Sequence, residues 1–141
     1  MVEVHGWITL RYSDYHSEGS EQNNFLFQFK QFLLKECDWV LDDEIGKLTS
    51  RNGLDSFSLT VQHNHLGNPF YPLDIFNWVA SSSTGSYGTL YVLDDEDEVH
   101  HNEFQVFILK RGKLIKMKDS FLSPYIGEVE QEYDENNPPR D

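Results

Sequence analysis

Five carboxylates stand side by side at Asp94, Asp95, Glu96, Asp97 and Glu98, and His100 and His101 follow almost at once. Such a run repels itself and stays hydrated unless a cation neutralises it. It could dock a basic protein surface, occupying the place where a nuclease would hold phosphates, and speed encounter at low salt. It could also be a solvated hairpin loop that keeps a sheet edge soluble. A calcium loop fits poorly: its ligands alternate around a central glycine, whereas here the acids are contiguous and no glycine stands sixth. His63 and His65 are spaced so that on a strand both rings would leave one face, as two metal ligands must. A zinc site would need the fold to bring residues 100 and 101 beside them. Histidines at strand ends and in loops are common without metal, and we expect no metal and no other cofactor.

Nucleophilic chemistry finds less support. Cys37 falls on the apolar stripe of a helical pattern, which suits a small core residue better than a reactive thiol. No Gly-x-Ser-x-Gly elbow is present. Gly85-Ser86-Tyr87-Gly88 lacks the basic residue and the strand–loop–helix order of a phosphate loop. We therefore expect no catalytic residues. The aromatic residues suit contact better than catalysis. Trp7 lies on the polar face of its strand, so either a helix covers it or it anchors an interface. Trp78 lies off the apolar stripe of its helix and should be partly exposed. Tyr87 and Tyr91 alternate with Leu90 and Val92, so one face could present tyrosine to a partner.

The elements that must position these groups follow from periodicity. Residues 2–12 alternate, with Val2, Val4, Ile8, Leu10 and Tyr12 on one face, and Gly6 on that face suggests a bulge or a close approach. Residues 22–40 carry Phe25, Phe29, Phe32, Leu33, Cys37 and Val40 at helical spacing, with Ser20 placed to cap them. Residues 42–52 read as a polar connector, and residues 55–63 as a strand. Gly67-Asn68-Pro69 reads as a turn, and a short helix follows through Leu73, Ile75, Phe76 and Val79. Residues 86–93, 103–110 and 113–118 complete three strands, the last two joined by a two-residue turn at Arg111-Gly112. The order β-α-β-α-β-β-β is α+β: a mainly antiparallel five-stranded sheet with two helices packed on one face. The link between the second and third strands could be a parallel crossover. Residues 1–127 form one domain in this reading, and 128–141 an acidic, mobile tail.

Composition excludes several classes. The chain has 141 residues, with 24 acidic against 11 basic side chains, a net charge of −13. Its length fits one domain, and 14% aromatic residues are too many for a disordered chain. The charge argues against nucleic acid and for a cationic partner. No apolar run is long enough to span a membrane, no secretory signal opens the sequence, and the single cysteine cannot form an internal disulfide. A cytoplasmic setting is expected.

Certain wording adds a resemblance. Ser86-Tyr87-Gly88-Thr89-Leu90-Tyr91, Asp94-Asp95-Glu96-Asp97, Lys110-Arg111-Gly112-Lys113-Leu114 and Asp119-Ser120-Phe121-Leu122-Ser123-Pro124 occur in this order, with Gly6-Trp7 and Asn64-His65 upstream. This set, from about Gly6 to about Glu130, resembles the immunity protein 7 family of bacterial polymorphic toxin systems. The segment from Pro124 to Glu130 matches the family ending only loosely. The resemblance implies a non-enzymatic cytoplasmic protein that binds and neutralises the effector domain of a cognate toxin by stoichiometric occlusion. Its partner would be a toxin domain with a basic surface, such as a nuclease. The residues expected to meet it are Asp94, Asp95, Glu96, Asp97 and Glu98, with Tyr87, Trp78 and His65 beside them. Two other readings remain: an acidic adaptor without a toxin, and a metal-dependent enzyme built on His63, His65, His100 and His101.

Overall fold

A computed structural model describes residues 1–16, 18–64 and 71–138. The strands are β1 (Val2–Leu10), β2 (Gly46–Arg51), β3 (Leu54–His63), β4 (Tyr87–Asp94), β5 (Gln105–Lys110) and β6 (Lys113–Lys118). The helices are α1 (Gly19–Glu36), the single turn α2 (Trp39–Asp42) and α3 (Tyr71–Ser82). A last turn, Tyr125–Glu128, follows β6. The turn read at residues 67–69 lies outside the described residues.

The architecture is α+β, with an open sheet in the order β2-β3-β1-β4-β5-β6 and antiparallel pairing throughout. The sheet has six strands, not five. β2 occupies the stretch read as a polar connector. Gly46, Leu48 and Ser50 of β2 turn toward the helix side, but only the first two are shielded and the rest of this edge strand is exposed, so its apolar alternation is too sparse to read. β3 and β4 run in the same direction, but β1 lies between them, so α3 carries the chain over one intervening strand.

α1, α2 and α3 cover one face. The apolar side chains of β1, with Phe57, Leu59 and Val61 of β3 and Leu90 and Val92 of β4, bury against Phe25, Phe29, Leu33, Val40, Ile75, Phe76 and Val79. Gly6 permits a close approach: a β-carbon there would lie 2.9 Å from Leu90 and 3.1 Å from the Phe76 ring. The β1 register runs past Gly6 without a bulge. The helix read over 22–40 begins earlier and breaks at Cys37. Glu18 holds the N-cap position with no side-chain cap, so Ser20 lies inside the first turn. The Gln22 side chain instead ties α1 to the end of β1, accepting from the Tyr12 N–H at 2.8 Å and donating to the Leu10 carbonyl at 2.9 Å.

Among the described residues, no helix longer than one turn lies on the opposite sheet face. The segment after β6 covers one part of it. The Phe104 N–H donates to the Ser123 hydroxyl at 2.9 Å, and the Tyr125 N–H to the Asn102 carbonyl at 2.8 Å. Tyr91, Phe104 and Tyr125 form a small aromatic cluster beneath it, with ring centroids 5.8 and 6.2 Å apart. Residues 131–138 add neither helix nor strand.

Candidate interaction surface

The acidic run begins the connection from β4 to β5. Asp94 closes β4, is only 6% exposed, and accepts the Glu96 N–H at 3.0 Å. Asp97 accepts N–H groups from His100 at 2.7 Å and Val99 at 2.9 Å. Those two bonds, His100 first, hold its carboxyl below the ordinary range. Two of the five acids therefore also shape the loop, Asp94 turned inward and Asp97 ionised but only partly exposed. Asp95, Glu96 and Glu98 are exposed, and Asp95 also pairs with the Met1 ammonium.

The sheet register adds acids that sequence reasoning missed. Val2 stands between His63 on one side and Asp94 on the other, so the end of β3 and the end of β4 share one end of the sheet. α2 sits there too, because Trp39 packs edge-on against His63 and Tyr71, with ring centroids at 6.5 and 4.5 Å. Exposed Glu36, Asp38, Asp42, Asp43, Glu44 and Asp74 thus gather at the same end as the acidic loop. Three strand spacings, about 14 Å in all, separate β2 from β4. A signal was present: residues 36–44 hold five acids and no base.

Trp78 belongs to the helix layer. Its indole stacks on Phe32 at 5.1 Å and leans on Phe29 at 5.6 Å, so α1 holds it half-buried. It also lines a groove of about 400 Å³ between α1 and α3, with Glu36 and Asp74 among the other lining residues. This groove opens near the acidic end.

Tyr87 does not join these residues. It starts the strand that Asp94 ends, about 23 Å away at the rise of an extended strand. It lies on the helix-free face, 44% exposed, and meets Trp7, 47% exposed, edge-on at 6.2 Å. Among the described residues, no helix covers Trp7. The serines before Tyr87 have structural work: the Ser83 hydroxyl bonds the Val79 carbonyl and the Ser86 hydroxyl, and Ser86 bonds the Arg11 backbone. His65 lies outside the described residues.

His63 and His100 have separate partners. His63 packs between Trp39 and Tyr71, and His100 Nδ1 lies 2.5 Å from the Glu103 carboxylate. Among the described residues no three His, Cys, Asp or Glu are grouped to hold a metal. No described helix is long and apolar enough to cross a membrane. What this arrangement can do is present dense negative charge at one end and aromatic rings in a groove beside it. Over residues 1–131 the chain matches the family model described as immunity protein 7. No curated protein and no solved structure matches it.

Proposed function

The chain belongs to the immunity protein 7 family, and on that premise we propose that it binds one cognate bacterial toxin domain and silences it stoichiometrically, without turnover. The family match over residues 1–131 carries this reading. The toxin domain would present a basic surface, as a nuclease does, and the encounter would take place in the cytoplasm of the producing cell. The net charge of −13 and the exposed acids at one end of the sheet support that choice of partner. Asp95, Glu96 and Glu98 are the exposed loop residues that would steer it, while Asp94 and Asp97 keep the loop in shape.

Two measurements test this. Co-expression with the toxin domain encoded beside this gene should restore growth, which an acidic adaptor would not do. Titration against that toxin domain, inactivated by mutation, should show one-to-one binding. Changing Asp95 to Asn and both Glu96 and Glu98 to Gln should slow association about tenfold at low salt and flatten its salt dependence. The melting curve should move little, because these side chains are exposed and a surface pair such as Asp95 with the Met1 ammonium contributes little to stability. An unchanged low-salt on-rate would remove the loop from the interface.

A further inference from the structure

The groove between α1 and α3 has the chemistry of a cation receptor. Phe32, Tyr71 and Trp78 supply aromatic walls, Glu36 and Asp74 are exposed beside them, and among the described residues no lysine or arginine lines it. Among the described residues neither carboxylate makes an ion pair. Asp74 lies in the first turn of α3, where the helix macrodipole favours an acid. Glu36 is the last residue of α1, where the same dipole disfavours one. Lys35, in the same turn, does not bridge to it. Glu36 thus breaks a local rule with no compensating partner in the described fold. The groove floor feels this charge: burial pushes the Cys37 thiol up to about 11, and Glu36, Asp38 and Asp74 add to the rise.

We propose that this groove receives an arginine or lysine side chain of the toxin domain, its stem against Trp78 and its charge between Glu36 and Asp74. The inference rests on the immunity reading and adds a contact that the acidic loop does not make. An aromatic wall and two carboxylates suit the two halves of such a side chain: its apolar stem packs along the ring while its charged head meets the acids.

The experiment titrates the inactivated toxin domain from the neighbouring gene against four forms of the chain. These are wild type, the pair Glu36→Gln with Asp74→Asn, a control pair Glu18→Gln with Glu21→Gln at the other end of α1, and Glu36→Lys. The groove pair should weaken binding at least about tenfold, and the control pair less than about threefold, although both remove two charges. Glu36→Lys places a cation in the groove and should weaken binding about a hundredfold. Its melting temperature should hold or rise, since lysine suits a helix C-terminus. A groove pair no weaker than the control pair, or a Glu36→Lys protein that binds like wild type, would overturn the groove while the immunity reading stood. A wild-type chain that does not bind would overturn both.

Discussion

Cys37 shows how a residue's type was legible while its surroundings were not. Its place on the apolar stripe marked it as core, and it is 3% exposed at the end of α1. The acids around it come from α1, α2 and α3, which no local pattern joins. Burial first, then Glu36, Asp38 and Asp74, raise its thiol to about 11. At pH 8 only about one molecule in a thousand would carry the reactive thiolate. Iodoacetamide should therefore leave the folded protein unlabelled and alkylate it fully in denaturant, as mass spectrometry would show. Labelling of the native state at the unfolded rate would contradict this packing. The same limit applied to the acidic run. Its charge was plain, but the inward turn of Asp94 depends on the parity of β4 against β1. Trp7 could not be assigned from its strand either, because only the topology decides which face the helices leave bare.

At the level of elements, the long periodic segments were readable and the edge hairpin was not. β1, β3, β4 and both longer helices bury regular apolar rows, which is the signal that periodicity detects. β2 buries too little to emit it, yet its turn carries a strong cue. Asn52 and Gly53 both have positive φ, at 53° and 76°, the conformation of a two-residue hairpin turn. Arg111 and Gly112 repeat it between β5 and β6, with φ of 49° and 74°. Two substitutions test how β2 is held. A β-carbon on Gly46 would meet Val40 at 2.4 Å and the Phe57 ring at 2.8 Å, so Gly46→Ala should cost about 1–3 kcal/mol. Gly53→Ala meets nothing within 4 Å and should cost about 1 kcal/mol, from backbone conformation alone. Urea unfolding would measure both, and equal stability for Gly46→Ala would mean that β2 is not pinned beneath α2. A deeper truncation sets the scale. Phe29 is fully buried against Phe57 and Trp78, at 5.4 and 5.6 Å, and Phe29→Ala should cost about 3–5 kcal/mol.

For the whole molecule, the surplus of acid was legible and its gathering was not. Residues 36–44 and 94–98 stand far apart in the chain, and only the strand order brings them to one end of the sheet. Charge so distributed works against compactness, and its dependence on pH has a definite sign. At pH 7 the net charge is −13, and it falls toward zero near pH 4.7 as histidines gain and carboxylates lose charge. Self-repulsion therefore eases as pH drops from 7 toward 5. The opposing contribution comes from carboxylates held below the ordinary Asp value of 3.8. Asp14 is held there by the Thr84 hydroxyl first and Arg111 further down, and Asp97 by the His100 and Val99 N–H groups. For Asp119, burial works against the charge, but the Phe121 N–H, the Ser123 hydroxyl and the Leu122 N–H outweigh it. A group whose folded pKa is depressed adds stability that is complete above its unfolded value and is lost as pH falls through the folded one. That loss begins only below about pH 4. The melting temperature should thus rise or hold from pH 7 to 5 and fall below about 4. Salt at 0.5 M should raise it at pH 7.5, where repulsion is screened, and do little near pH 4.7. A melting temperature that declined steadily from pH 7 to 5, or ignored salt at pH 7.5, would mean that the acidic end is already neutralised within the fold. It would then have no charge left to offer a partner.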